Sequence, residues 1–213
     1  VEDPVEADIH GINQVQVNTK AELTFASALR SILRQDPDII MVGETRDAET
    51  ATISVRAAIT GHLVLSTLHT NDAASSVIRL VDMGIEPYML SSALDGIIAQ
   101  RLVRKVCPYC STVGTMTEQE IHYVGYDIPG IKVAHGCPKC NNTGYSGRIS
   151  IHEILVVDKA VRRLISNRAT TEEIKEYAIK NQGMKTLKES CIEMMEKGIT
   201  TMDEFKRVAF HDD

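Results

Sequence analysis

No apolar run in this 213-residue chain approaches the roughly 20 residues that a membrane-spanning helix needs. The N-terminus also lacks the charged and apolar segments of a secretory signal peptide. Such a chain is expected to fold without a bilayer, with a cytoplasmic location as the default. Long basic tracts are missing too. The 23 Lys and Arg stand against 29 Asp and Glu, a net charge of -6, which argues against nucleic acid as the main partner, because binding a phosphate backbone takes clustered cations. One bound nucleotide is not excluded. There is no internal repeat and no low-complexity tract. Nor is there an initiator Met: Val1-Glu2-Asp3-Pro4 reads like the end of a strand whose upstream neighbours are missing, and a piece of a longer protein is expected. What is present suffices for a sizeable core, since 43% of the residues are hydrophobic.

The uninterrupted run Ile39 to Val42, between Asp36-Pro37 and Gly43-Glu44, reads as a strand buried on both faces and so as part of a parallel sheet. Ligands of open parallel sheets bind beyond the carboxyl ends of the strands, so Glu44 is presented to a ligand. The surroundings alternate in the same way. Gln14 to Val17, "QVQV", reads as a strand. Phe25, Ala28, Leu29, Ile32 and Leu33 recur at helical spacing until Asp36-Pro37 stops them. Ala48 to Thr60 has the composition of a helix with Gly61 as its stop, and Leu63 to Thr67 is a second apolar, β-branched strand. Alternation of this kind means an α/β architecture.

Strand character returns at "RISIHEILVV", Arg148 to Val157, and the rest reads as helical. Thr170 with Glu173 and Thr201 with Glu204 have the spacing of capping boxes, and Gly198 marks a stop between helices. Leu164, Ile174, Leu187 and Met194 are the expected buried positions of a small C-terminal bundle with no chemistry of its own.

Between these parts lie two CxxC knuckles, Cys107-Pro108-Tyr109-Cys110 and Cys137-Pro138-Lys139-Cys140, in a glycine-containing polar stretch with little expected core of its own. Two thiolates three positions apart on a tight turn can share one metal, and two such turns complete a tetrahedral site for Zn2+. The alternative is a redox dithiol, which usually comes singly at a helix start after a strand. With all four ligand places filled, the zinc would be architectural. His135 is a spare ligand or a loop residue, and Cys191 reads as a small buried apolar residue.

Acidic and histidine positions form a second constellation. Glu2, Asp3 and Glu6 cluster at the end of one apparent strand, Glu44 ends another, and His69 follows Leu63 to Thr67. Each alone reads as solvated surface or a loop histidine. Together at strand ends they suit a metal ion bound to phosphate oxygens, or a base that orients water for attack on phosphorus.

At these residues the chain resembles a known family. "VEDPVE", "LRQDPDIIMVGETRDAETA" and "TGHLVLSTLHTNDA" are similar, in order, to the Asp box, Walker B and His box of the secretion ATPases that power type II secretion and type IV pilus assembly. "QRLVRKVCPYC", the second knuckle and "GYSGRISIHEIL" resemble the tetracysteine region of the assembly and secretion branch, a segment the related retraction motors generally lack. The resemblance covers nearly the whole chain. It implies a RecA-like (P-loop NTPase) core over residues 1–104, a tetracysteine zinc segment over 105–147, and a final strand with a helical subdomain over 148–213. It also implies ATP and Mg2+ as ligands and a homohexamer on an inner-membrane platform, associated with the membrane through partners. By position, Glu6 matches the glutamate that activates water, and Glu44 the Walker B glutamate that helps hold magnesium. His69, with His62, matches the residues that sense the terminal phosphate, and Glu2 and Asp3 complete the Asp box. Gly43 stands where a Walker B aspartate would be, a substitution the family shares. No GxxxxGK[ST] occurs in the chain, so the cradle of backbone N–H groups and the lysine that anchor a triphosphate are expected upstream, and this chain alone is expected to be inactive. A related ATPase for DNA uptake or conjugation, and a non-catalytic zinc module, are the alternatives.

Overall fold

The computed structural model describes residues 1–209. In chain order its elements begin with α1 (Phe25–Ile32), β1 (Ile39–Val42), α2 (Ala48–Ile59), β2 (Leu63–Ser66), α3 (Ala73–Asp82) and α4 (Pro87–Ala93). They continue with β3 (Gly96–Val106), β4 (Thr112–Val113), α5 (Glu118–Val124), β5 (Lys132–Val133) and β6 (Tyr145–Val156). The chain closes with α6 (Lys159–Ser166), α7 (Thr171–Tyr177), α8 (Leu187–Glu196) and α9 (Met202–Ala209). Among the described residues no helix is long and apolar enough to cross a membrane. Packing divides the chain into two compact units. One comprises Val1–Thr70, Ala74–Ile97 and Val156–Ala178, and the other Asn71–Ala73, Ile98–Leu155 and the described residues from Ile179 to Ala209.

In the first unit β1 and β2 pair in parallel, Ile39 opposite Leu63 and Val42 opposite Ser66. The alternation of a strand then sorts the side chains. Ile40 and Val42 are buried against Leu29 of α1 and Ala57 of α2, with Phe25, Ile32, Ile53 and Val64 packed around them. The parallel pairing is as expected, but the burial of β1 on both faces is not. Ile39 is 63% and Met41 52% exposed, because α1 and α2 cover only the face that carries Ile40 and Val42. Within this chain Ile39, Met41, Leu63 and Leu65 line the other, open face.

The helix ends follow local chemistry. Thr24 caps α1 through a reciprocal pair with Ser27, Asp47 caps α2 through the Thr50 N–H, and Gly61 closes α2 at φ +106°. "QVQV" does not form the expected strand. It makes a single parallel bridge, Gln16 with Glu2, while the Gln14 and Gln16 side-chain amides bond the neighbouring loop.

The second unit contains the β4–β5 antiparallel pair and a core built by α8 and α9 against Val103 and Ile151. The cysteine-containing segment contributes to that core: Met116, Ile128 and Ile131 are 8%, 4% and 3% exposed. It therefore has more core than its polar composition suggests. Of the expected buried positions, Ile174 and Leu187 are buried, whereas Leu164 and Met194 are half-buried and their neighbours Ile165 and Met195 take the inner places. Of the C-terminal helices, α6 and α7 pack in the first unit and α8 and α9 in the second.

Thr170 and Glu173 form their capping box, as do Thr186 and Glu189. Thr201 and Glu204 do not. The Thr201 hydroxyl lies 2.9 Å from the Tyr145 hydroxyl, and the Glu204 carboxylate is taken by Arg104, which donates from its backbone N at 2.7 Å, from Nε at 2.8 Å and from Nη2 at 2.7 Å. Burial works to raise the Glu204 carboxyl, and the bonds and charges of Arg104 and Arg207 outweigh it, so the group ends below its ordinary value.

Candidate functional site

The carboxyl edge of the β1–β2 pair is built from two adjoining loops. Thr45 is 5% exposed, donates its N–H to the Thr67 carbonyl at 2.9 Å, and places its hydroxyl 2.8 Å from Ser66 Oγ. The Thr67 hydroxyl in turn donates to the Gly43 carbonyl. These bonds fix the chain after β1 against the chain after β2. Glu44, 14% exposed at its side chain, and His69, 81% exposed, meet at this edge with His69 Nε2 3.4 Å from Glu44 Oε2. Arg46 Nε donates to the same oxygen at 2.5 Å.

Glu2 adjoins the same place through the backbone. Gly43 donates its N–H to the Val1 carbonyl at 2.7 Å. A Cβ on Gly43 would stand 3.0 Å from that carbonyl oxygen and 3.3 Å from Glu2 Cα. A side chain there, an aspartate included, needs the Val1–Glu2 backbone to give by a few tenths of an ångström, so glycine is the residue that fits without a shift. The Glu2 carboxylate accepts from Gln14 Nε2 at 2.8 Å.

Asp3 and Glu6 are exposed and carry no side-chain bond among the described residues. The loop that bears them is tied down by glutamines, with Val5 N donating to Gln16 Oε1, Ile9 N to Gln14 Oε1, and Gln14 Nε2 to the Ala7 carbonyl. The structure thus brings Glu44, Arg46, His69 and the Glu2 backbone together, and leaves Asp3 and Glu6 on an adjoining solvent-facing loop. His62 is not brought to this edge. It precedes β2, at the opposite end of the strand, with Nδ1 3.0 Å from the Ala57 carbonyl at the C-terminus of α2. Arg46 is a member of this edge to which the sequence alone assigns no role. The Glu44-x-Arg46 spacing gains a direction only once Thr45 is pinned to Ser66 and Thr67.

The cysteines are in the second unit and all are reduced. The sulfurs of Cys107, Cys110, Cys137 and Cys140 lie within 4.8 Å of one another. Cys107 to Cys137 is 4.0 Å, Cys110 to Cys140 3.9 Å and Cys137 to Cys140 3.7 Å. Four sulfurs tetrahedrally bonded at about 2.3 Å to one ion are about 3.8 Å apart, so the cluster has the dimensions of a four-thiolate zinc site.

Its surroundings treat the thiols unequally. Burial opposes ionisation of Cys140, but N–H groups donated by Cys137 and Gly144, each at 3.3 Å, draw it down to about 6, while desolvation and the neighbouring thiols push Cys110 up to about 12. Gly144, at φ +79°, is required here. A Cβ on it would lie 2.9 Å from Ala134 Cβ and from the His135 carbonyl. Lys139 sits 4.2 Å over the Tyr109 ring and joins the two knuckle tips. His135 is outside the cluster, 2.8 Å from Thr112 Oγ1. Cys191 is fully buried beside the α8–α9 core, and burial pushes its thiol up to about 12, as suits a small apolar residue.

The family described as type II/IV secretion system protein matches residues 1–207. The type II secretion system protein HxcR of Pseudomonas aeruginosa is 51% identical over 98% of this chain and 41% of its own length. The type IV pilus assembly ATPase PilB of Thermus thermophilus is 52% identical over 96% of this chain and 23% of its own length. Among solved structures, the pilus retraction motor PilT with bound ADP is 30% identical with a TM-score of 0.68, over 97% of this chain and 50% of that one. The ATPase DotB of Legionella pneumophila is 25% identical with a TM-score of 0.61, over 92% and 45%. The chain spans well under half the length of these curated relatives.

Proposed function

This chain belongs to the type II/IV secretion system protein family, and from that premise we propose that its Glu44–His69 edge is the hydrolytic part of an ATP site in a motor for type IV pilus assembly or type II protein secretion. The fold is the α/β, RecA-like one the resemblance implied. The observation that carries the reading is the meeting of Glu44 Oε2 and His69 Nε2, 3.4 Å apart, at the carboxyl end of two parallel strands.

In this reading Glu6, free of protein partners on its loop, takes a proton from the attacking water. His69, mostly exposed, donates a hydrogen bond to the terminal phosphate. Glu44, with Glu2 and Asp3 nearby in the Asp-box loop, offers the hard oxygen donors that fit a magnesium ion. That ion, when bound, supplies charge neutralisation to the phosphate oxygens. His62 holds the Gly61 turn through the Ala57 carbonyl. The cradle for the phosphates comes from sequence outside these 213 residues, since they contain no GxxxxGK[ST]. In the second unit Cys107, Cys110, Cys137 and Cys140 hold one structural zinc ion. The whole protein works as a cytoplasmic homohexamer at the inner-membrane face, on platform and pilus or secretion assembly proteins, without nucleic acid.

The test compares hydrolysis and nucleotide binding in this chain and in one extended upstream through a phosphate loop. The short chain should show no hydrolysis. In the extended chain Glu6→Gln should bind nucleotide nearly as before and lose about 100-fold to 10,000-fold in turnover. Glu44→Ala should also lose turnover, with part of the loss recovered by raising magnesium, and no magnesium concentration should rescue Glu6→Gln. Full activity of Glu6→Gln would refute the assignment.

A further inference from the structure

Thr45 is the fixed point of the loop between β1 and α2, buried and bonded to both Ser66 and Thr67. In extended chain, alternate residues point to opposite sides. Pinning Thr45 inward therefore sends Glu44 and Arg46 to the other side together. There Arg46 Nε and His69 Nε2 converge on one atom, Glu44 Oε2, at 2.5 and 3.4 Å. Glu44 Oε1 has no protein donor among the described residues. The two oxygens of one carboxylate are thus unequal, one held and one open.

We propose that Arg46 is a positioning residue of this edge: it holds Glu44 Oε2, leaves Oε1 as the atom offered to a divalent cation, and competes with that cation for the carboxylate. The inference rests on the reading of Glu44 as a cation ligand. A guanidinium donates in a fixed planar geometry and carries a full positive charge, so it competes directly with a cation for the carboxylate. Its side chain is 69% exposed, which makes it a screened and displaceable partner, not a permanent lock. A unit charge and a divalent cation about 6 Å apart in a solvent-like dielectric repel by roughly the free energy of a tenfold change in affinity.

The test uses this chain, isotopically labelled at low ionic strength, with Mn2+ alone as the probe and paramagnetic broadening of backbone amides as the readout. In the parent, broadening should centre on residues 43–45 and 67–69 and disappear in Glu44→Gln. Arg46→Ala should bind Mn2+ about tenfold more tightly, and added monovalent salt should shrink that difference. Arg46→Lys, which keeps the charge and loses the Nε–H donor, should fall between the two. Because Arg46 is exposed, the dispersion of the amide spectrum should be unchanged in both variants. Arg46→Ala binding no more tightly than the parent, while Glu44→Gln still abolishes the broadening, overturns the proposal and leaves the reading of Glu44 intact. Broadening that Glu44→Gln does not reduce, or that centres elsewhere in every form, overturns the reading itself and the proposal with it.

Discussion

Replacing Cys137 by Ser removes one of four sulfurs that lie within 4.8 Å of one another, and the structure indicates what should follow. Cys137 is a corner shared by two of the close pairs, to Cys107 and to Cys140, and its N–H also donates to Cys140 Sγ. With three sulfurs left, the site drops from a closed tetrahedron to an open one, and affinity for zinc should fall by orders of magnitude. The loop it closes runs from Cys107 at the end of β3 to Cys140 just before β6. Inside that loop Met116, Ile128 and Ile131 are buried against Leu187, Met195 and Phe205. If the loop loosens, three large side chains lose part of their burial, each worth about 1.5 to 3 kcal/mol when complete. The upper limit is thus about 5 to 9 kcal/mol, somewhat below the roughly 10 to 16 kcal/mol of apparent zinc binding in small peptides.

The assay is metal content by elemental analysis, followed by hydrogen exchange read peptide by peptide. The parent prepared without chelator should hold about one zinc per chain. Cys137→Ser should hold far less, with exchange accelerated across residues 108–136 and in α8 and α9. Exchange in β1, α2 and β2 should be unchanged, because their core of Leu29, Ile40, Val42 and Ala57 contains no residue of the cysteine segment. A parent without metal, or a metal-depleted variant whose exchange matches the parent at 108–136, would show that the cluster does not organise this segment.

Two further outcomes follow from particular residues. Glu204→Ala removes the carboxylate that Arg104 and Arg207 bond, and because both cations keep access to solvent it should cost about 1 to 3 kcal/mol in the denaturant unfolding of the second unit. The Glu204 carboxyl is held below its ordinary value, so its contribution is full above the unfolded glutamate pKa of about 4.3 and disappears as pH falls through the lower folded value. Stability of the parent should therefore decline through that acid range more steeply than that of Glu204→Gln, and equal slopes would refute the sign. Gly43→Asp, which restores the aspartate of a usual Walker B strand, places a Cβ 3.0 Å from the Val1 carbonyl. It should destabilise the first unit by about 1 to 3 kcal/mol, and unfolding at the parent's midpoint would show that the backbone yields there.

What was legible in the sequence divides along a physical line. Local rules with short reach survived contact with the structure. The α1, β1, α2 and β2 boundaries follow from Thr24, Asp36-Pro37, Asp47 and Gly61, each acting on its own backbone. The knuckles were legible because metal-ligand spacing is a local pattern that only one kind of site explains well. The failures came where a distant partner outbid a local preference. Glu204 has the spacing to cap α9 with Thr201, yet Arg104, a hundred residues earlier, offers three donors, Nε and Nη2 to Oε1 and its backbone N–H to Oε2, and these charge-assisted bonds outweigh a cap. Gln14 and Gln16 alternate like strand residues, but their amides bond the loop that carries Glu6.

The β1 strand shows a subtler case. Four apolar residues in a row suggest two covered faces, but among the described residues α1 and α2 cover only one, so such a run does not by itself tell a strand buried on both faces from one buried on a single face. The same distinction separates Glu44 from Arg46. A carboxylate after a buried strand is conspicuous because burying the strand fixes where its end must point. An arginine two positions later looks like ordinary solvated surface until Thr45 is seen pinned between Ser66 and Thr67, twenty residues on. Only that long-range pin turns a two-residue spacing into a shared direction. The meeting of Arg46 with Glu44 is therefore encoded in the pairing of β1 with β2, and a reading confined to the loop itself could not reach it.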